Sequence, residues 1–115
     1  MELKIGNLIA KLPIIQGGMG VGVSLSSLAG NVAKHGAIGV ISAAHPGYLE
    51  EDFEKNTLQA NIRALKKHVI KAKEISNNGI IGVNIMVAMK NYKELVKSSI
   101  ESGADLIISG AGLPL

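Results

Sequence analysis

The 115 residues suffice for one domain, and 47% hydrophobic against 18% charged residues calls for a packed core rather than disorder. A net charge of +3, aromatics at 3% and no Trp argue against a nucleic-acid surface built on a basic field or on stacked bases. The absence of Cys removes disulfides and thiolate metal sites. With no signal-peptide pattern and no run of roughly 18 uncharged apolar residues, a cytoplasmic protein without a membrane partner is expected.

Leu3-Lys4-Ile5 and Leu8-Ile9 flank Gly6-Asn7 and predict a small hairpin, suited to plugging the end of a barrel. A first strand follows at Pro13 to Gln16. Ser24 or Ser26 is placed to cap the next helix, whose apolar face carries Leu28, Ala29, Val32 and Ala33 and which stops at His35-Gly36. A second strand covers Ala37 to Ile41. Residues 43–56 form the longest irregular stretch, acidic at Glu50, Glu51, Asp52 and Glu54. Asn56 or Thr57 then opens a long helix. Its stripe is Leu58, Ile62, Leu65, Val69 and Ala72, with Arg63, Lys66, Lys67, Lys71 and Lys73 largely off it. Asn77-Asn78-Gly79 ends that helix before a third strand, Ile80 to Met86. A third helix runs from Asn91 to Ser102 with Leu95, Val96, Ser99 and Ile100 inward, and a fourth strand covers Leu106 to Ile108.

Short apolar runs without alternation read as strands buried on both faces, and strands alternating with helices read as a parallel sheet with right-handed crossovers. The class is therefore α/β, either doubly wound or the first half of an eight-stranded barrel. In both, ligands bind at the carboxyl ends of the strands. The chain places glycines and polar residues there: Gln16-Gly17-Gly18-Met19-Gly20, Ser42 to Gly47, Asn84, and Ser109-Gly110-Ala111-Gly112-Leu113-Pro114. A dinucleotide fingerprint is not met, because Val23 stands where its third glycine belongs and Ser42 where the ribose-binding acid belongs. No Walker phosphate loop occurs. Asn84 interrupts an apolar strand, and a buried amide left unpaired costs about 1–3 kcal/mol, so it needs a backbone partner or a ligand. Met19, Met86 and Met89 read as core or pocket lining. His35 reads as a helix-end residue, His68 as a helix-surface residue, and His45, on a strand-end loop, as the one candidate for proton transfer.

Ile14-Ile15-Gln16-Gly17-Gly18-Met19-Gly20, Gly82-Val83-Asn84-Ile85-Met86 and Ser109-Gly110-Ala111-Gly112-Leu113-Pro114, in that order and with the Asn56-Thr57-Leu58 helix opening, resemble the nitronate monooxygenase (2-nitropropane dioxygenase) family. That family includes flavin-dependent enoyl-acyl carrier protein reductases. The resemblance implies an FMN-binding (β/α)8 TIM barrel, of which residues 1–115 are the N-terminal part of a single domain; such barrels typically take ~250 residues. It implies that Gly18 and Met19 lie against the flavin ring, that Asn84 bonds its polar edge, and that Ser109, Gly110 and Ala111 form the next wall. A carboxamide suits that edge because it offers a donor and an acceptor together. The family's glycine-rich phosphate loops and its histidine in an Ala-Gly-Gly-His-like segment are not found here.

The expected reaction is oxidation of an alkyl nitronate by O2. The alternative is NAD(P)H-dependent reduction of an enoyl thioester, so the expected partner is a small-molecule substrate in either case. A third expectation is a truncated, inactive half-barrel that self-associates through its open edges.

Overall fold

The computed structural model describes residues 1–113; Pro114, the end of the last motif, lies outside them. The chain opens with the expected hairpin, β1 (Leu3–Ile5) and β2 (Leu8–Ala10), paired antiparallel with Leu3 opposite Ala10. The remaining elements are α1 (Ser26–Lys34), β3 (Gly39–Ser42), α2 (Thr57–Ile75), β4 (Ile81–Met86), α3 (Tyr92–Glu101) and β5 (Leu106–Gly110). β3, β4 and β5 form one parallel sheet in that order, with Ser42, Asn84 and Ile108 level across it.

The expected first strand is reduced to one parallel bridge, Ile15 to Ile38, made by Gln16 N–H to Ile38 O (3.1 Å) and Ile38 N–H to Ile14 O (3.0 Å). The reason lies in Gln16. Its Oε1 accepts from Val40 N–H and its Nε2 donates to Val40 O, both at 2.9 Å. A side-chain amide thus makes the two bonds that the backbone two residues on would have made, and the glycine-rich backbone is released to turn away.

The helices lie on one face only. Ala29 and Ala33 of α1, Leu65, Val69 and Ala72 of α2 and Leu95 of α3 share a single core with Ile41, Ala43, Ile81, Val83 and Ile85. The opposite face carries a second cluster of Ala10, Ile38 and Val40, joined by Leu3, Ile80, Leu106 and Ile108, with no helical residue in it. The hairpin covers the amino end of that face. Sequential parallel strands with every crossover on one side are singly wound, so the doubly wound alternative is set aside.

Two helical faces differ from expectation. Leu28 and Ile100 are exposed, whereas Gly30 and Ser98 are buried. At Gly30 an added Cβ would come within 2.8 Å of Ile75, so α1 and α2 approach closely through a residue without a side chain. The acidic stretch is not free charge. Glu50 and Asp52 clamp Arg63 of α2, and hydrogen bonding to Arg63 holds both carboxyls below their ordinary range. At the other end of the sheet Lys73 Nζ lies 2.6 Å from Asp105, which also accepts from Ile81 N–H at 2.9 Å. This ties α2 to the starts of β4 and β5. Among the described residues no helix is long and apolar enough to cross a membrane.

Neither serine caps α1 with its own side chain; the N-cap is Leu25. The cap comes from His68, which is half-buried rather than on the helix surface. Its Nδ1 accepts from Ser26 N–H at 3.3 Å and lies 2.9 Å from Ser26 Oγ. The ring is therefore neutral, with its proton on Nε2, and burial pushes its pKa below the ordinary 6.5. Because the unfolded chain binds this proton more readily, the contribution is present above pH 6.5 and is lost as pH falls below that value. Urea unfolding is expected to show lower stability at pH 5.5 than at pH 7.5 on the order of a lost helix cap, ~1 kcal/mol. In His68→Gln that difference shrinks; an unchanged pH slope in the variant would contradict the cap.

Candidate functional site

A cavity of about 300 Å3 opens at the carboxyl ends of β3 and β4, lined by Gly18, Met19, Gly20, Ser42, Ala44, Asn84, Met86 and Met89. Its first wall is the loop that Gln16 releases. Ser24 organises this loop from inside, being only 1% exposed. Its Oγ accepts from Met19 N–H at 2.9 Å, and its backbone receives Ser42 N–H at 2.9 Å and donates to Met19 O at 2.8 Å. The loop then lies flat on the sheet, which requires glycine at two positions. A Cβ on Gly18 would meet Asn84 Cβ at 2.8 Å and Val40 at 3.2 Å; one on Gly20 would meet Ala44 Cβ at 2.6 Å. At Gly17 nothing lies within 4 Å. The glycines therefore serve the packing of their own loop against β3 and β4.

Asn84 stands on the helix-free face of β4, level with Ser42. Its backbone carbonyl accepts from Ala43 N–H at 3.0 Å, but its carboxamide bonds to no described residue. Since no buried side-chain polar atom among the described residues lacks a partner, the amide reaches the open space of the cavity. Ser42, by contrast, is occupied by Ala44 N–H at 3.2 Å. Asn84 thus offers a free donor and acceptor pair between thioether walls, with no titratable side chain in the lining. Such a lining can orient a flat polar heterocycle and exclude water, but it cannot itself move a proton.

Gly18, Met19 and Asn84 line this one cavity. The structure does not bring Ser109, Gly110 and Ala111 into the same lining. Ser109 is in register with Ile85, and its hydroxyl bonds the Tyr92 hydroxyl of α3 at 2.6 Å. Gly110 is level with Met86 and its carbonyl accepts from Val87 N–H at 2.8 Å, while Ala111 is exposed with φ +55. Gly20, Ser42 and Ala44, which the sequence places among the strand-end residues without assigning them a contact, line the cavity with the others. Their position after strands one and two was the available signal.

His45 lies on the loop after β3, outside this cavity. Gly47 N–H donates to Asn61 Oδ1 at 2.9 Å, which turns Asn61 Nδ2 toward His45 Nδ1 at 3.2 Å. Nδ1 must therefore accept, and the proton sits on Nε2. The ring stands edge-on to Phe53, with centroids 5.5 Å apart. It lines a second cavity of about 280 Å3 with Thr57, Leu58, Asn61, Met89, Lys90, Asn91 and Leu95; Met89 is common to both cavities.

A singly wound parallel layer whose helices lie on one side, with a glycine-floored cavity at its strand carboxyl ends, defines an α/β domain whose βα loops surround that cavity. A protein-family model described as nitronate monooxygenase matches residues 2–115, and the chain belongs to that family of oxidoreductases. No curated protein sequence matches the chain.

Proposed function

We propose that the chain forms one side of an FMN site in a (β/α)8 barrel that oxidises alkyl nitronates with O2. The observation that carries this reading is the Asn84 carboxamide, which reaches the cavity with its hydrogen-bonding capacity unspent. It matches the adjacent donor and acceptor of a flavin pyrimidine edge. Gly18 and Met19 would support the ring, Met86 and Met89 would keep water from it, and the backbone at Gly110 and Ala111 would continue the wall past Met86, while Ser109 would hold that strand end through its bond to Tyr92. When bound, the flavin supplies the electron transfer from nitronate and onward to O2. This chain's residues bind and orient it. The reading assigns no proton transfer to His45, which stands beyond Met89 in the adjoining cavity.

The test is Asn84→Leu in the flavin-loaded protein, a substitution close in volume that offers no hydrogen bond. Loss of one or two hydrogen bonds at about 0.5–1.5 kcal/mol each should weaken flavin retention about 2- to 150-fold, read as flavin absorbance per chain after dialysis. Unchanged flavin content and an unchanged spectrum would refute the role given to Asn84. Bleaching by NADH or NADPH, with recovery on an enoyl thioester but not on a nitronate, would reassign the substrate.

A further inference from the structure

We propose that His68 of α2 is a positioning residue for the first wall of the Gly18–Asn84 cavity, and that a proton on its ring unlocks that wall. His68 holds Ser26, Ser26 follows Ser24 closely in the chain, and Ser24 holds Met19. The lock stands on these contacts alone; only its consequence for flavin rests on the function proposed above.

The wall has two fastenings. Among the described residues, every hydrogen bond made by residues 17–23 goes to Gln16 or to Ser24. Gln16 fixes the start of the loop through Gly17 O. Ser24 fixes its end: Oγ accepts from Met19 N–H at 2.9 Å and donates to Gly17 O at 3.3 Å, and Ser24 N–H donates to Met19 O at 2.8 Å. Ser24 O also accepts from Ser42 N–H at 2.9 Å, which joins the loop to the strand end that lines the cavity.

Ser24 is steadied in turn from α2. Leu25 is the N-cap of α1 and Ser26 its first residue, so Ser26 N–H has no partner within the helix. His68 Nδ1 accepts it. A proton on Nδ1 would set a donor against a donor, at the positive end of the α1 dipole. Burial of the ring opposes that charge first, and Lys67 on the same helix adds to the opposition. Glu50, from the loop after β3, is the acid that favours it, and α1 has no acid in its first turn. Proton uptake therefore goes with opening of the Ser26 contact. Release of Ser26 frees Leu25 and Ser24 next to it, and with them the end of the loop.

Amide hydrogen exchange reads the lock residue by residue. Corrected for intrinsic rates, protection at Met19, Ser24 and Ser26 should be lower at about pH 5.5 than at about pH 7.5. One pH unit below 6.5 the protonated open form gains at most about tenfold, so a fall of about 3- to 10-fold is expected. Glu50 and Asp52, held below the ordinary carboxyl range by Arg63, stay ionised over this interval. His35 and His45 bond Asn31 O and Asn61 rather than the loop. Low urea should leave the loop exchange unchanged, as befits a local opening. His68→Asn places a non-titrating acceptor where Nδ1 stands, and should keep the protection while losing its pH dependence. His68→Leu, with no acceptor, should show low protection at both pH values. Equal loop protection at both pH values in the unmodified chain overturns the proposal, as does a pH response that persists in His68→Asn. So does a response that is steeply urea-dependent and shared by Leu95 N–H in α3, which would mean that the whole domain opens. In the flavin-loaded protein, retention should fall at the lower pH in the unmodified chain and not in His68→Asn. Unlocking without any change in retention would uphold the lock and overturn the placing of the ring on Gly18 and Met19.

Discussion

Gly39→Ala is expected to be the most damaging single-methyl change in the chain. The added Cβ would stand 1.9 Å from Ala29 O, 2.7 Å from its carbonyl carbon and 3.0 Å from its Cα. All three are backbone atoms of α1, so no side chain can rotate out of the way. α1 would have to lift from β3, and with it Ala29 and Ala33, which are buried against α2. Overpacking of a dense core typically costs about 1–3 kcal/mol and sometimes more, against a total stability of about 5–15 kcal/mol for a domain. A loss at or above ~3 kcal/mol in urea unfolding is expected. Gly17→Ala is the control, since nothing lies within 4 Å of its added methyl, and it should change stability by less than ~0.5 kcal/mol. Equal melting of the two variants would mean that α1 does not sit on β3 as described.

Gln16→Met is expected to have the second largest effect, and to strike stability and the site together. Methionine matches the volume and apolar stem of glutamine but takes neither role of the carboxamide. Val40 is fully buried, so its N–H and C=O would both lose their partners, and Gly17 O would lose the 2.8 Å bond from Nε2. An orphaned buried backbone group costs about 1–3 kcal/mol, so the pair amounts to about 2–6 kcal/mol. The loop carrying Gly18 to Gly20 would lose its anchor on β3, so any flavin bound there should be retained less well. Gln16→Glu keeps an acceptor for Val40 N–H and loses the donor to Val40 O, and should fall between the two. A Gln16→Met protein as stable as wild type, measured by thermal and urea unfolding, would show that the side chain does not substitute for the ladder.

Much of the fold is legible in the residues because it is set by local chemistry. Periodicity of 3.6 in Leu65, Val69 and Ala72, and stops at His35-Gly36 and Asn77-Asn78-Gly79, place α1 and α2 within a residue or two. The gathering of Gly18, Met19 and Asn84 follows from their position after parallel strands. Other features depend on partners far away in sequence. That Gln16 stands in for backbone needs Val40 twenty-four residues on. His68 becomes the cap of α1 only because α2 lies across its amino end, forty-two residues from Ser26. Ser109 is turned to Tyr92 by strand parity, since successive side chains alternate faces and its level neighbour Ile85 faces the helices. Which strands neighbour one another, and on which side the helices fall, is likewise decided by three-dimensional packing. The helical repeat is the same in singly and doubly wound sheets, and only the pairing of β3, β4 and β5 with one shared helical core separates them.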